Sequence, residues 1–151
     1  MENIEDFFVN NTNIFSFSSN SENDTLEFAK QIAKKLTGNE IIALNGELGS
    51  GKTVFMKGIA DYFGIKNDVS SPTFTIVNEY DTPKFKIYHF DVYRIKNALE
   101  FEASIGTDYF YSGVSIIEWG EIIEEILPKN SIIIDIEKIG NEKRIFNVRR
   151  K

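Results

Sequence analysis

The segment from Asn45 to Thr53, Asn-Gly-Glu-Leu-Gly-Ser-Gly-Lys-Thr, has the residue types and spacing that phosphate binding requires. It fits the pattern G-x-x-x-x-G-K-[ST], in which glycines let backbone amides approach and surround an anion. Lys52 would offer its charge to the β- and γ-phosphates, and the Thr53 hydroxyl is the expected Mg²⁺ ligand. We therefore predict a nucleotide site in which Lys52 is also catalytic, formed by Gly49, Ser50, Gly51, Lys52, Thr53 and Val54.

The residues on both sides of this loop favour the same interpretation. Glu40–Leu44 is a short apolar run typical of a buried strand. Val54–Phe63 has apolar residues at helical spacing, and Gly64 is a typical residue for ending a helix. A strand, a loop and a helix in this order are the context that the pattern requires. A glycine-rich turn without a ligand is the alternative, and this context argues against it.

The composition limits the class of protein. The chain has 151 residues, no cysteine and one histidine, which excludes a disulfide framework and a multi-histidine metal centre. A formal net charge of −6 argues against non-specific nucleic-acid binding by the whole domain. The acidic N-terminus is unlike a signal peptide, and no apolar run is long enough to span a membrane. We expect a single domain over residues 1–151, a cytoplasmic location and no membrane partner.

Basic residues gather towards the end of the chain, at Lys138, Lys143, Arg144, Arg149, Arg150 and Lys151. We interpret them as a solvated tail, which is the usual state of a run of charges. A local patch that contacts nucleic acid is the alternative.

Periodicity and turn residues define the other elements. Met1–Asn13 is either a frayed terminus or a short helix. The alternation of strands and helices favours a parallel sheet, and the last two strands should form a meander on one edge. The predicted fold is α/β, a P-loop NTPase-like three-layer α/β sandwich with a mostly parallel central sheet and antiparallel edge strands. Strands are predicted at Ile14–Phe17, Thr75–Tyr80, Phe85–Val92, Val114–Glu118, Ser131–Glu137 and Arg144–Val148, with further helices at Asp24–Leu36, Ala98–Ala103 and Glu121–Leu127.

Two carboxylates end predicted strands, where ligands bind in open α/β sheets. A nucleotide hydrolase needs a carboxylate for the metal, a group that orients water and a group that senses the γ-phosphate. We assign Glu118 to the metal because its strand is the more apolar, and Asp91 to the water or the metal shell. Thr73 lies between the loop helix and the next strand, where switch threonines lie. Asp91 and Glu118 could instead each cap the helix that follows, and Thr73 could be an ordinary turn hydroxyl.

Four segments occur in the order seen in the TsaE family, which the chain resembles over nearly its whole length: Gly46–Thr53, Ser71–Phe74, His89–Arg94 and Glu118–Trp119. That family comprises bacterial ATPases needed to make threonylcarbamoyladenosine on tRNA. The resemblance implies Mg²⁺-dependent ATP hydrolysis in a complex with TsaB and TsaD, with tRNA met only through the complex.

The resemblance also implies roles for individual residues. Thr53 and Glu118 would be the Mg²⁺ ligands, Thr73 the switch residue, and Asp91 a catalytic acid near the γ-phosphate. Within the loop, glutamate and serine stand where aspartate and alanine are commoner in the family, at positions that tolerate change.

Three neighbouring residues have open interpretations. His89 shares a strand face with Asp91, so it is either a hydrogen-bond partner of the site or a structural histidine. Trp119 is counted with the nucleotide-binding residues; if Glu118 faces the nucleotide, Trp119 should face away or lie in the adjacent loop. Arg94 could act as an internal arginine finger, although such arginines are often supplied by a partner.

Two other classes of protein use the same loop. A small-molecule or nucleotide kinase needs an arginine-bearing lid and an acceptor pocket, yet only Arg94 among the arginines lies outside the C-terminal end. A GTP-binding switch needs an Asn-Lys-x-Asp element, whereas the pairs that begin at Lys66, Lys96 and Lys129 run in the reverse order. The sequence therefore favours an ATPase over both.

Overall fold

The computed structural model describes residues 3–9, 14–66 and 77–151. Strands and helices alternate through much of the described chain, as predicted. The α-helices are α1 (Ile4–Val9), α2 (Glu22–Ala33), α3 (Lys52–Tyr62) and α4 (Ala98–Ser104). The strands are β1 (Ile14–Ser19), β2 (Ile41–Asn45), β3 (Val77–Asp81), β4 (Lys86–Asp91), β5 (Val114–Glu118), β6 (Ile132–Lys138) and β7 (Arg144–Arg150). Short 3-10 helices span Asp108–Tyr111, Gly120–Ile122 and Glu124–Ile126.

The strands of the described chain form one 7-stranded sheet in the order β1-β7-β6-β2-β5-β4-β3. The central strands β6, β2, β5 and β4 are parallel to one another. At one edge β3 and β4 form an antiparallel hairpin, in agreement with the predicted antiparallel edge strands. At the other edge β6 and β7 form the predicted meander, and β1 adds to it as the outermost antiparallel strand. The predicted fold class is therefore confirmed.

Each face of the sheet is covered by its own apolar layer. On one face α2 and α3 pack over Ile42, Leu44 and their neighbours. On the other face α4 and the 3-10 helices cover Ile41 and Ala43. Successive strand residues point to opposite faces, so a strand covered on both sides must be apolar at every position. This explains why all of β2 is buried.

Local sequence explains how the two helices beside the site begin and pack. The Ser21 hydroxyl caps α2 by accepting the Asp24 amide at 3.1 Å. Gly58 lies where α3 meets α2, and a Cβ at this position would be only 2.5 Å from the Ala29 Cβ. Glycine therefore allows the close contact that holds the start of α2 beside the loop before α3.

One predicted element has a different structure from the one expected, and another is described only in part. The predicted helix Glu121–Leu127 is two short 3-10 helices, because amides bond three residues back, as from Ile126 to Ile123 at 3.1 Å. The predicted strand Thr75–Tyr80 is observed as β3, and its first two residues lie outside the described ranges.

The interpretation of the C-terminal basic residues as a solvated tail is wrong for the end of β7. Arg149 Nε donates to the Asp135 carboxylate at 3.0 Å. The Arg150 guanidinium lies over the Phe7 ring, 4.4 Å from its centroid. Lys151 Nζ donates to three backbone carbonyls that lie between residues 124 and 127. These cations attach the last strand to the body of the protein.

The N-terminal segment contains a short helix, one of the two alternatives that the sequence left open. Ile4 and Phe7 of α1 are buried in the apolar layer that also contains α2 and α3. Among the described residues, no helix is both long enough and apolar enough to cross a membrane.

Candidate functional site

The predicted phosphate loop joins the carboxyl end of β2 to the start of α3. Gly49 and Gly51 have φ angles of 81° and 107°, in the left-handed region that other residues seldom adopt. A Cβ at Gly46 would lie 2.6 Å from the Ser50 hydroxyl, so this position needs glycine for space. The Ser50 amide donates to the Glu47 carbonyl at 3.1 Å and closes a turn inside the loop. The glycines therefore allow a backbone shape that other residues would strain.

Lys52 begins α3, and only 6% of its surface is exposed. Its ammonium donates to the carbonyl oxygens of Gly46 and Glu47, and lies 3.8 Å from the centroid of the Trp119 ring. Burial lowers the pKa of Lys52 below that of a free lysine. Four nearby carboxylates oppose this effect without overcoming it: Glu118, Glu121, Asp91 and Glu47. The ammonium is therefore a desolvated cation, whose attraction for an anion is stronger than in water.

The register of the sheet brings Glu118 to the loop. Glu118 ends β5, with Leu44 of β2 and Asp91 of β4 as its neighbours in the ladder. The Thr53 hydroxyl donates to Glu118 Oε1 at 3.4 Å, and His89 Nε2 lies 2.6 Å from Oε2. Glu118 and His89 are both buried, so each carboxylate oxygen has a fixed neighbour. His89 is therefore a hydrogen-bond partner of the site, through Glu118.

Asp91 ends β4 beside Glu118 but has a different environment. It is partly exposed, and its Oδ1 accepts the Tyr93 amide at 3.0 Å. This bond is a local turn contact, and the cap of the next helix, which the sequence left open as a role for Asp91, is Asn97. Asp91 also lines the cleft described below, so its part in the chemistry stays a prediction.

Trp119 leaves β5 in the left-handed region, with a φ angle of 63°. Its amide still donates to Leu44 at 2.9 Å, so the chain turns directly after this bond. The ring packs against Tyr93, with 4.8 Å between ring centroids, and lies over the Lys52 ammonium. Of the two orientations that the sequence allowed, Trp119 therefore lies in the loop beside Glu118.

A single cleft of about 710 Å³ contains these groups. Every predicted site residue in the described ranges lines it: Gly49, Ser50, Gly51, Lys52, Thr53, Val54, Asp91, Glu118 and Trp119. Thr73 lies in the segment 67–76, outside the described residues. The structure thus brings together residues that the sequence places on three separate segments.

Sequence reasoning missed part of the cleft, above all Arg144. Its Nε donates to the Ser50 carbonyl at 3.1 Å, and its Nη2 to the Gly49 carbonyl at 3.2 Å. The basic C-terminal run was the only signal in the sequence, because these contacts join residues far apart in the chain. Arg94, the arginine considered from sequence, is exposed. The other cleft residues missed are Ser21, Glu22, Thr25, Leu48, Tyr93, Asn141 and Glu142.

The polar groups in the cleft suit two kinds of ligand, a polyphosphate and a hard metal cation. Lys52 and the amino end of α3 favour phosphate oxygens. The Thr53 hydroxyl and the Glu118 carboxylate are oxygen ligands of the kind that Mg²⁺ prefers. Within the ranges that the structure describes, no three His, Cys, Asp or Glu side chains are grouped to hold a metal by themselves.

Comparison with known proteins gives matches over most of the chain. Residues 19–146 match the family described as "Threonylcarbamoyl adenosine biosynthesis protein TsaE". Two relatives named tRNA threonylcarbamoyladenosine biosynthesis protein TsaE come from Rickettsia bellii (42% identical, covering 85% of this chain and 90% of the relative) and Bacillus subtilis (41%, covering 80% and 76%). The crystal structure of Bacillus subtilis YdiB is similar, with a TM-score of 0.74 and 31% identity, covering 91% of this chain and 85% of that one. By these matches the chain belongs to the TsaE family of tRNA threonylcarbamoyladenosine biosynthesis proteins.

Proposed function

We propose that this protein binds Mg²⁺-ATP in the cleft and hydrolyses it in support of threonylcarbamoyladenosine synthesis on tRNA. The observation that carries the proposal is the meeting of Lys52, Thr53 and Glu118 at the amino end of α3. A cation, a hydroxyl and a carboxylate at this place match the groups that phosphate-loop ATPases use for the terminal phosphates and the metal.

The loop amides and Lys52 are the proposed ligands of the phosphates. The amino end of a helix favours anions through its free amides and its dipole. Lys52 donates to the carbonyls of Gly46 and Glu47 in this structure. A phosphate oxygen carries negative charge and is a stronger acceptor than a carbonyl. We therefore expect the Lys52 ammonium to exchange these carbonyls for phosphate oxygens when ATP binds.

Thr53 and Glu118 are the residues that would hold Mg²⁺. When bound, the ion neutralises charge on the β- and γ-phosphates. The fit of these residues to Mg²⁺ rests on two potential ligand oxygens, the Thr53 hydroxyl and Glu118 Oε1, which lie 3.4 Å apart at the start of α3. His89 contacts the other oxygen of Glu118, and such a partner fixes the orientation of a metal-binding carboxylate.

Asp91 is the residue that we assign to the attacking water. It is the ladder neighbour of Glu118, lines the cleft and is partly exposed, so water can reach it. A carboxylate in this place can orient water by hydrogen bonding and accept its proton. The proposal keeps Thr73 as the switch residue, on the family resemblance alone.

The proposed partners are TsaB and TsaD, and tRNA is met through their complex. Support for these partners comes from membership of the TsaE family. The names of the TsaE relatives connect those relatives to tRNA modification. The proposal includes a cytoplasmic location. We expect slow hydrolysis by the isolated protein, since the arginine that assists such ATPases can come from a partner. Arg144 is engaged with loop carbonyls, and Arg94 is exposed.

A nucleotide panel tests the proposal. Calorimetry with ATP, ADP and GTP, with and without Mg²⁺, should show binding that prefers adenine nucleotides and Mg²⁺. Phosphate release should be slow for the isolated protein and faster with TsaB and TsaD. Transfer of phosphate to a small acceptor in place of water would favour the kinase alternative, and a preference for GTP would favour a switch. Full activity that the partners leave unchanged would contradict the partner requirement.

A further inference from the structure

Arg144, the first residue of β7, holds the phosphate loop from its outer side. Nε donates to the Ser50 carbonyl at 3.1 Å, and Nη2 to the Gly49 carbonyl at 3.2 Å. Its other hydrogen bonds stay within the turn between β6 and β7, where they reach the carbonyls of Gly140, Asn141 and Lys143. One side chain therefore ties this hairpin to the loop.

The geometry of the peptide bond makes these contacts relevant to the loop amides. In a trans peptide, the C=O of one residue and the N–H of the next point in opposite directions. Because Arg144 holds the Ser50 carbonyl, the Gly51 amide points away from the guanidinium. The Gly49 carbonyl is held as well, and the Ser50 amide that follows it donates to Glu47. The two peptide units that flank Ser50 are thus fixed from outside the loop.

Arg144 also brings positive charge to the cleft that it lines. Its hydrogen bonds within the described chain end on carbonyl oxygens, which carry no formal charge. Arg149, on the same strand, instead bonds to the carboxylates of Asp135 and Glu124. Lys138 adds a second cation, since its Nζ lies 3.7 Å from where a Cβ on Gly49 would be. The hairpin therefore supplies cations to a loop suited to anions.

We infer that Arg144 is a positioning residue for nucleotide binding, which holds the peptide units around Ser50 in place and adds charge behind them. The part that concerns nucleotide rests on the proposed function. Arg144→Ala should weaken binding of Mg²⁺-ADP about tenfold or more, because the loop loses two charge-assisted hydrogen bonds and must then be ordered when the nucleotide binds. Arg144→Lys should recover only part of this affinity, since an ammonium lacks the planar fork that reaches both carbonyls.

The experiment compares Arg144→Ala and Arg144→Lys with a matched control, Lys143→Ala. The control removes an exposed cation from the same turn and leaves the backbone carbonyl that Arg144 binds. Amide hydrogen exchange without nucleotide should be faster at residues 46–53 in both Arg144 variants and unchanged in the control. Protection of β2 and β5 should be the same in all variants. Calorimetry with Mg²⁺-ADP then measures the affinity of each.

Each result has a defined meaning. Loop exchange and affinity that stay unchanged in folded Arg144→Ala would overturn the inference. So would a loss of protection that spreads through β2 and β5, because it indicates a general structural role. Arg144→Lys with the same loop exchange and affinity as the wild-type protein would overturn the positioning role, because charge would then suffice without the planar fork. This variant also carries the test where Arg144→Ala does not fold. If the unchanged protein binds no nucleotide, the proposed function fails, and exchange still decides whether Arg144 holds the loop.

Discussion

The two walls of the cleft differ in chemistry and in how the chain builds them. The loop wall, residues 46–53, is one continuous segment that offers amides and the Lys52 ammonium. The strand-end wall joins the ends of β4 and β5 and offers the carboxylates of Asp91 and Glu118 with the Trp119 ring. The loop wall follows from a local sequence pattern. The strand-end wall forms only when β4 and β5 pair in register.

Two contacts between described residues couple the walls. The Lys52 ammonium lies over the Trp119 ring, and the Thr53 hydroxyl donates to Glu118. Both loop residues belong to the first turn of α3. A ligand that draws Lys52 towards phosphate would therefore alter the surroundings of Trp119 on the opposite wall.

The largest effect should come from breaking the loop wall with Lys52→Ala. Loss of the buried cation should lower ATP turnover by about a hundredfold or more, because charge that develops on the phosphates loses its main side-chain partner. Circular dichroism should show an intact fold. Lys57→Ala is the matched control, since Lys57 is an exposed lysine on the same helix. Turnover that survives in folded Lys52→Ala would contradict the site assignment.

The next effect separates the two carboxylates of the strand-end wall. Glu118→Gln should raise the Mg²⁺ concentration needed for turnover, because a carboxamide is a weaker ligand for a hard cation than a carboxylate. Asp91→Asn should keep Mg²⁺-ATP binding and lose turnover, because the amide cannot accept a proton from water. Mg²⁺ titrations of binding and of phosphate release measure both. Identical titrations for the two variants would show that the roles are divided wrongly.

The sequence predicted the loop wall well because its chemistry is local. The glycines of the pattern have the positive φ angles or close contacts that only glycine accommodates, as at Gly46 and Gly51. The apolar run of β2 predicted a strand covered on both faces, and β2 is fully buried. Pattern and periodicity were therefore enough for the fold class and for the place of the cleft.

The strand-end wall was predicted only in part, because it depends on distant pairing. The position of Glu118 at a strand end was predictable, but its contact with His89 requires the register of β4 and β5. The direction of Trp119 depends on a left-handed φ angle that a non-glycine residue rarely adopts, so alternation along the strand does not predict it. Arg144 joins the loop from the other side through the β6–β7 turn, and no local pattern indicates that contact.

Trp119 provides an optical test of the coupling between the walls. It is the only tryptophan, and its ring contacts both the Lys52 ammonium and Tyr93. Mg²⁺-ADP should change its fluorescence saturably, because a cation that moves to phosphate leaves the indole face. In Lys52→Met the change should be smaller even at saturation, as measured by calorimetry on the same samples. A flat titration of the unchanged protein, with binding confirmed by calorimetry, would show that the walls are not coupled in this way.

The smallest expected effect is on stability, and its sign is opposite to that on turnover. Burial lowers the pKa of Lys52, so the protonated side chain is less favourable in the folded protein than in the unfolded chain. This penalty is fully present below the folded-state pKa, and is relieved as the pH rises from there towards the 10.5 of free lysine.

At pH 7 the lysine is charged, and Lys52→Met removes the charge while keeping an unbranched side chain of similar length. The nucleotide-free variant should therefore melt at a slightly higher temperature than the unchanged protein, by scanning calorimetry at pH 7. The exposed Lys57→Met is the control and should shift the melting temperature little. A lower melting temperature for Lys52→Met would mean that the carbonyl bonds and the Trp119 ring outweigh the loss of water around the ammonium.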